Sequence, residues 1–249
     1  MAMKAEMGLL GRALASMRSP AAASELRKLD ESVAATAGSV KPCAALIAIV
    51  QRAWEVGQTL DLSGVGYGPP HWNTLESFIE SPFPYYRFLA GLVRSQHCKR
   101  IIEIGTHFGG STQSMLRGAI DQSETEIITI DITDLNVSLH GISEITKITG
   151  DANRKNVIQE VALNIRNRPA DLLYVDADHR FIPTMTNLGI YVLLSRPKLV
   201  AIDDIVLNPE MRALWNVLRI TFDQNAINCA EIIPEIRSAK VGFGLLQIG

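Results

Sequence analysis

Strand and helix patterns alternate along the chain from residue 100 onward, and this order constrains the fold more than any other feature of the sequence. Short apolar runs typical of buried strands are interleaved with longer segments in which apolar residues recur at helical spacing. The predicted strands span residues 100–104, 126–130, 145–149, 172–175 and 199–202. The predicted helices span residues 111–120, 153–167, 181–194 and 209–222. Alternation of this kind is typical of βαβ units with right-handed crossovers, so we predict a Rossmann-like, doubly wound and mostly parallel α/β sheet.

The C-terminal segment departs from this alternation. Residues 230–236 and 241–248 have strand patterns and are joined by a short polar turn, with no helical pattern between them. Two strands joined in this way predict an antiparallel hairpin. Together with the five preceding strands, the hairpin predicts a seven-stranded sheet.

The first third of the chain has a helical pattern instead. Met3, Met7, Leu10, Leu14 and Met17 recur at the spacing of one helix face, and residues 42–56 predict a more buried helix. Glycines and prolines over residues 62–72 predict a loop, which could cover a ligand or simply link two parts of the chain. A helix over residues 85–94 precedes the first strand. We therefore predict an N-terminal helical segment with a lid loop over residues 1–80 and an α/β domain over residues 81–249.

Composition narrows the class of protein. The chain has 249 residues, of which 47% are hydrophobic and 20% charged, so it can bury a large core. Its net charge of −2 and its lack of a basic run argue against nucleic acid as a partner. Cys43, Cys98 and Cys229 are widely separated, which favours reduced thiols over a zinc site or disulfides. With no long apolar run and no signal-peptide pattern, we expect a cytoplasmic protein without a membrane partner.

A glycine-rich turn follows the first predicted strand. Gly105, Gly109 and Gly110 let the backbone turn sharply and approach a ligand closely. Ser111 and Thr112 then begin a helix whose free N–H groups can bind an anion. A strand, a turn and a helix with this chemistry predict a nucleotide-cofactor site. The spacing differs from the dinucleotide pattern G-x-G-x-x-G, because His107 occupies the second glycine position.

Carboxylates follow the later strands at the same predicted edge of the sheet, where ligands of open α/β sheets bind. Asp131 ends the second strand and could accept both ribose hydroxyls of a nucleoside, or cap a turn. Asp176 follows the fourth strand, and Asp203 and Asp204 follow the fifth. Three carboxylates this close repel one another unless a cation is present, and oxygen ligands suit Mg²⁺. The sequence therefore predicts a divalent-cation site at this edge.

These motifs resemble a known family. The pattern Glu103-x-Gly105-x-x-x-Gly109 resembles motif I of class I S-adenosylmethionine (SAM) methyltransferases. The run from Ile104 to Thr106, followed by Gly-Ser-Thr, is similar to the metal-dependent small-molecule O-methyltransferases. That branch includes the caffeoyl-CoA and catechol type and the macrocin and cephalosporin-biosynthesis type. Asp-Ala-Asp with a basic residue, followed one strand later by Asp-Asp, is also similar to that branch.

The resemblance assigns a role to each candidate residue. It implies that SAM is bound by residues of the turn and of the strand ends, namely Glu103, Gly105, Thr106, Gly109, Ser111, Thr112, Asp131, Asp151, Ala152 and Asp176. Among these, Asp151 and Ala152 fall at the adenine position, although Asp151 could equally cap the helix predicted from residue 153. Asp176, Asp203 and Asp204 fall on the metal positions. His179 falls where the family has a general base, with Asp178 as the rival base.

We therefore predict a SAM-dependent, divalent-cation-dependent O-methyltransferase that acts on a hydroxyl of a small molecule, either a sugar or a phenolic compound. The apolar N-terminal stripe predicts a homo-oligomer or a cover over the site. One alternative is a metal-independent SAM methyltransferase that uses Asp176 and His179 as acid–base groups. Another is a non-catalytic SAM-binding or partner-binding protein. A NAD-dependent oxidoreductase is a distant third, because the glycine spacing does not fit.

Overall fold

The strands of the sheet lie where the apolar runs occur. The computed structural model describes residues 33–65, 84–135, 139–237 and 242–248. The strands are β1 Arg100–Ile104, β2 Glu126–Asp131, β3 Ile145–Thr149, β4 Leu172–Val175, β5 Leu199–Asp203, β6 Ala226–Asn228 and β7 Phe243–Gln247. They form one seven-stranded sheet in the order β3-β2-β1-β4-β5-β7-β6. The first five strands are parallel, and β7 is antiparallel to both β5 and β6.

Helices cover both faces of this sheet. The helices are α1 Val33–Ser39, α2 Ala44–Gln58, α3 Pro84–Ser95, α4 Gly110–Gly118, α5 Lys155–Ile165, α6 Phe181–Ser195, α7 Pro209–Phe222 and α8 Pro234–Arg237. Helices α2, α3 and α4 pack on one face, in a cluster that includes Leu46, Phe88 and Met115. Helices α5, α6 and α7 pack on the other face. This doubly wound arrangement confirms the predicted fold class.

The connections position a functional edge. The chain leaves β1 toward β2 and β3 on one side, and returns to β4 and β5 on the other. The sheet therefore has a switch point between β1 and β4, and ligands of open α/β sheets bind outside the carboxyl ends of the strands at such a point. The glycine-rich turn and the predicted carboxylates all follow strands at this edge.

The C-terminal hairpin is confirmed, but the predicted position of its first strand is wrong. Cys229–Glu231 forms a 3₁₀ turn and α8 follows, so the apolar residues at 230–236 are not a strand. The pairing strand β6 ends at Asn228, whose side chain accepts a hydrogen bond from the Ala230 N–H at 3.1 Å. Pro234 then begins a helix, where its missing N–H costs nothing. Capping and proline chemistry override the apolar pattern here.

The predicted helical stripe over residues 3–17 and the loop residues 66–72 lie outside the described residues. The domain boundary near residue 80 therefore stays a prediction. In the part of the chain that the structure describes, no single helix is long and apolar enough to cross a membrane. The bent pair α1 and α2 passes that test only when the two helices are counted together.

Candidate functional site

The glycine-rich turn brings two strand ends into close contact. Gly105 follows β1 with φ of +103°, and a Cβ atom at this position would lie 1.8 Å from the Asp176 carbonyl oxygen after β4. Only glycine allows this approach at the switch point. Gly109 has φ of +84° and caps α4, whose first N–H groups open toward the turn. The backbone is thus shaped for a ligand that lies across the ends of β1 and β4.

Glu103 anchors this turn from beneath. Its carboxylate is fully buried and accepts hydrogen bonds from the hydroxyls of Ser111, Thr112 and Thr129. Because the Thr129 proton goes to Glu103, the Thr106 hydroxyl donates to Thr129 Oγ1 at 2.5 Å. Burial raises the Glu103 pKa to about 7, against the lowering effect of these donors. We call Glu103 and its three direct donors the turn anchor.

The turn anchor changes the interpretation of several predicted cofactor residues. The hydroxyls of Ser111 and Thr112 donate to Glu103, so they hold α4 against β1. The sequence predicts both as direct cofactor contacts. In the structure their hydroxyls support the turn, and the backbone of the turn is the part that remains available to a ligand. Both residues are nearly inaccessible to solvent.

Asp131 links the turn to the end of β2. Its Oδ2 accepts the His107 N–H at 2.8 Å, and its Oδ1 accepts the Thr133 N–H at 3.0 Å. These bonds are turn caps, which is one of the two roles predicted for Asp131. Oδ1 also accepts the Thr133 hydroxyl at 3.1 Å, whereas Oδ2 has a second lone pair, and the side chain lines a cavity, so Oδ2 can still accept a ribose hydroxyl.

A cavity of about 600 Å³ opens at this edge of the sheet. We call it the sheet-edge cavity, and it lies between the ends of β1, β2 and β3 and the start of α6. Its lining includes Gly105, Asp131, Asp151, Ala152 and Asp178, which are all predicted site residues. Its size is typical of a pocket for a small ligand.

Asp151 forms local hydrogen bonds inside the sheet-edge cavity. Its Oδ1 accepts the Asn153 N–H at 2.9 Å, and its Oδ2 lies 3.4 Å from the Arg154 Nε. The helix begins later than predicted, at Lys155, with Arg154 as its cap. Asp151 therefore caps the turn before α5 rather than the helix itself. Ala152 is buried and lines the cavity beside it.

The second half of the site is the acidic cluster, which we define as Asp176, Asp203 and Asp204 with His179. The His179 Nε2 lies 3.3 Å from the Asp176 Oδ1 and 3.3 Å from the Asp204 Oδ2. Behind them, the Tyr174 hydroxyl lies 3.0 Å from the Asp176 Oδ2 and 3.3 Å from the Asp203 Oδ2. The parallel strands β4 and β5 bring these side chains together, as the sequence predicts.

The pKa values of the acidic cluster reflect crowded negative charge. Burial raises the Asp203 pKa well above its ordinary value, and the charges of Asp176 and Asp204 raise it further. Burial also raises the Asp204 pKa to about 6. The hydrogen bond to Asp176 raises the His179 pKa above 6.5. Each shift favours additional positive charge, supplied either by protons or by a cation.

The donor atoms of the acidic cluster suit a hard cation, but they are not assembled around one position. Within the described ranges, no group of three or more His, Cys, Asp or Glu side chains is arranged so as to hold a metal ion. Instead, His179 lies between Asp176 and Asp204, and Tyr174 lies between Asp176 and Asp203. The carboxylate oxygens fit Mg²⁺ in kind. In the structure these oxygens are instead oriented toward His179 and Tyr174.

The two predicted bases lie in different surroundings. His179 is part of the acidic cluster and is about two-thirds shielded from solvent, since its side chain is 30% exposed. Asp178 lines the sheet-edge cavity, and its carboxylate is paired with the Arg180 guanidinium, whose Nε lies 2.6 Å from Oδ1. Because Asp178 already has a cationic partner, His179 is better placed to take a proton.

Sequence reasoning missed some residues of the site. Tyr174 is on β4, two residues before Asp176, so strand periodicity could have placed both side chains on the same face of the sheet. Tyr86 of α3 lies against the turn, because a Cβ atom on Gly110 would be 2.4 Å from the Tyr86 hydroxyl. No local pattern near residue 110 indicates this contact, which depends on how α3 packs on α4. Asn187 of α6 also lines the sheet-edge cavity, and no sequence motif indicates its position there.

Comparison with known proteins agrees with this geometry. Residues 102–205 match the sequence profile of a family described as a methyltransferase domain. This segment contains the glycine-rich turn, the sheet-edge cavity and the acidic cluster. The match is a similarity to methyltransferase domains over less than half of the chain, and it agrees with the resemblance seen in the sequence. No curated protein sequence matches the chain.

Solved structures share the fold. The cofactor-bound structure of Rv0187 from MTB has a TM-score of 0.51 and 19% identity, with 83% of this chain and 90% of that chain covered. The O-methyltransferase from Bacillus cereus in complex with SAH has a TM-score of 0.50 and 18% identity, with 90% of this chain and 100% of that chain covered. At these identities the likeness establishes the fold alone.

Proposed function

We propose that the protein is a SAM-dependent O-methyltransferase that acts on a hydroxyl of a small molecule. The observation that carries this proposal is the close contact of two sites at the switch point. The sheet-edge cavity and the acidic cluster meet where Gly105 contacts the backbone of Asp176. A methyl donor in the cavity and a hydroxyl at the cluster would therefore lie side by side. Such positioning is a major part of catalysis of a two-substrate transfer.

The cofactor would be bound by the lining of the sheet-edge cavity. The Asp131 carboxylate would accept a ribose hydroxyl through Oδ2, and the backbone at Gly105 and Gly109 would allow close approach. Ala152 leaves room for the adenine ring. When bound, SAM supplies an activated methyl group on sulfur. The turn anchor would act indirectly, by holding the turn and α4 in place before the ligand arrives.

His179 would act as the general base. Its Nδ1 would take the proton of the acceptor hydroxyl, while the Nε2–H faces Asp176 and Asp204, which hold the imidazole and stabilise its cationic form. The 3.3 Å distances to both carboxylates support this orientation. Asp178 is a weaker candidate because Arg180 neutralises it. Since the base must be neutral to work, the rate would rise as the pH passes through the raised His179 pKa.

The proposal includes a divalent cation, such as Mg²⁺, which the carboxylates of Asp176, Asp203 and Asp204 would bind. When bound, it would supply positive charge that lowers the pKa of a hydroxyl beside it. The metal-independent alternative is favoured by one specific observation. His179 already lies between two of the three carboxylates, and the described residues hold no assembled metal-binding group. Both mechanisms use the same base and the same cofactor cavity.

The remaining parts of the proposal concern the surroundings of the site. The acceptor would be a small hydroxylated molecule, bound between α3 and the segment after Asp204. We also propose a cytoplasmic homo-oligomer without nucleic-acid or membrane partners. The near-neutral net charge of −2 supports the first of these exclusions.

The test of the proposed function begins with the cofactor. Calorimetry should detect S-adenosylhomocysteine (SAH) binding in the micromolar range. A panel of sugars and phenols should then be incubated with radiolabelled SAM, with and without EDTA and added Mg²⁺. Transfer that stops with EDTA and returns with Mg²⁺ supports the metal-dependent mechanism, and transfer that survives exhaustive chelation supports the alternative. Binding of NAD without any SAH binding would refute the methyltransferase proposal itself.

A further inference from the structure

His179 lies in a short loop between β4 and α6, and we call residues 177–180 the base loop. The base loop is neither helix nor strand, so its shape depends on the groups that bind its backbone. Arg180 is the N-cap of α6, but its side chain forms no capping hydrogen bond. The carbonyls of the loop and the first N–H groups of α6 therefore need partners from other elements.

The start of α7 supplies two of these partners. The Asn208 Nδ2 donates to the His179 carbonyl at 2.7 Å, and the Glu210 Oε2 accepts the Phe181 N–H at 2.9 Å. One bond fixes the carbonyl of His179 itself, and the other fixes the N–H group two residues later. The beginning of α7 thus holds the end of the base loop with one donor and one acceptor.

Asn208 uses both ends of its amide. Its Oδ1 accepts the Met211 N–H at 2.9 Å as the N-cap of α7, and this bond directs its Nδ2 toward the His179 carbonyl. Asparagine, aspartate and serine cap helices about equally well, but of these only asparagine also carries an amide donor. The capping role alone therefore does not account for the bond to the base loop.

The same segment also presents a carboxylate to the imidazole. Asp204 lies four residues before Asn208, and its Oδ2 is 3.3 Å from the His179 Nε2. Its φ of +57° is uncommon for a residue other than glycine, and the Leu207 N–H closes a turn on the Asp204 carbonyl at 3.0 Å. This turn joins the residue that contacts the imidazole to the residue that holds the backbone of His179.

We propose that Asn208 and Glu210 are positioning residues that fix the base loop, so that the imidazole of His179 stays between Asp176 and Asp204 with its Nδ1 directed at the acceptor hydroxyl. This inference rests on the proposed function, since it assumes that His179 is the base. Neither Asn208 nor Glu210 lines the sheet-edge cavity. Loss of either side chain should therefore lower the rate of transfer without weakening cofactor binding.

Asn208→Ser on the full chain tests this, because serine keeps a neutral capping oxygen for α7 and removes the amide donor. With saturating SAM and an acceptor from the panel of sugars and phenols, kcat should fall roughly tenfold to a hundredfold, as expected for a displaced reacting group. SAH affinity measured by calorimetry should change by less than about threefold, since the cavity lining is intact. Asn228→Ser is the matched control, because Asn228 caps the Ala230 N–H at 3.1 Å on another element, and it should keep the wild-type kcat.

Two further measurements distinguish positioning from a purely structural role. In a His179→Ala background, Asn208→Ser should change kcat by less than about twofold, because its effect passes through the imidazole. The ¹⁵N NMR shifts of the imidazole report its hydrogen bonding without any turnover. At a pH where the ring is neutral, the wild-type ring should be the Nε2–H tautomer, since Nε2 faces two carboxylates. Asn208→Ser should give a mixture of tautomers, and comparison with His179→Ala assigns the signal among the five histidines.

Glu210→Ala should reproduce both changes, because it removes the acceptor of the Phe181 N–H, and it replaces Asn208→Ser as the test if that variant does not fold. A wild-type tautomer in both variants would overturn the inference. An equal loss of kcat with and without His179 would also overturn it. Absence of methyl transfer to every acceptor of the panel would count against the proposed function, and the imidazole spectra would then decide the inference by themselves.

Discussion

The turn anchor and the acidic cluster both combine carboxylate acceptors with hydrogen-bond donors, yet the ratio of acceptors to donors differs between them. In the turn anchor, the single carboxylate of Glu103 receives three hydroxyl donors. In the acidic cluster, three carboxylates share the imidazole of His179, the hydroxyl of Tyr174 and the Asp204 backbone N–H. A satisfied network stabilises a fixed shape, whereas an unsatisfied one binds protons or cations. The comparison separates a structural support from a reactive centre within one sheet edge.

The largest effect on turnover should come from removing one carboxylate of the acidic cluster. Asp203→Ala removes a buried carboxylate that would serve as a metal ligand, so metal-dependent turnover should fall to background while SAH binding changes by less than about threefold. Turnover assays and calorimetry on the same preparation test this. If activity survives both Asp203→Ala and exhaustive chelation, the acidic cluster is not a metal site. The metal-independent alternative then stands.

His179→Ala should have the next largest effect. Loss of a general base lowers the rate by roughly 10²–10⁴-fold, while binding of the cofactor persists. The residual activity should also lose its rise with pH, because the titrating group with the raised pKa is gone. Asp178→Asn is the matched variant, since it removes the rival base paired with Arg180. A larger rate loss in Asp178→Asn than in His179→Ala would reverse the assignment of the base.

The sequence predicts the fold better than it predicts the site. Apolar runs and helical spacing locate strands β1 to β5 and their helices, because burial dominates those segments. The hairpin strand at 230–236 is wrong because Asn228 and Pro234 impose local turn chemistry that an apolar pattern does not record. In the site, strand order brings Asp176, Asp203 and Asp204 together as predicted. Strand order does not reveal which hydroxyls Glu103 would bind, because side-chain orientation depends on tertiary packing.

The turn anchor offers a prediction about stability rather than rate. The folded-state pKa of Glu103, about 7, is above the ordinary value of 4.5, so the folded state binds the proton more tightly. The contribution of Glu103 is therefore fully favourable below pH 4.5 and is lost as the pH rises toward and through 7. This loss amounts to roughly 3 kcal/mol by linkage. Glu103→Gln should flatten the pH dependence of unfolding free energy by about that amount between pH 5 and 8.

Urea unfolding at several pH values measures this slope. Glu126→Gln is a suitable control, because Glu126 forms an exposed ion pair with Arg168 and such pairs contribute little. The control should keep the wild-type slope. A Glu103→Gln variant with an unchanged slope would mean that the turn anchor is not the titrating group. The contrast between the turn anchor and the acidic cluster would then need another explanation.

The smallest expected effect compares one hydroxyl from each side of the sheet. Tyr174→Phe removes the donor between Asp176 and Asp203, and one hydrogen bond of this kind contributes about 0.5–1.5 kcal/mol, so the rate should fall by roughly threefold to tenfold. Tyr191→Phe removes the hydroxyl that holds α6 to the Ala152 carbonyl, beside the sheet-edge cavity. It should weaken SAH binding by a similar factor and leave the rate at saturating cofactor nearly unchanged. Steady-state kinetics with varied SAM separate the two outcomes. If both variants change the same parameter, the cavity and the acidic cluster act as one unit, and the division drawn between them fails.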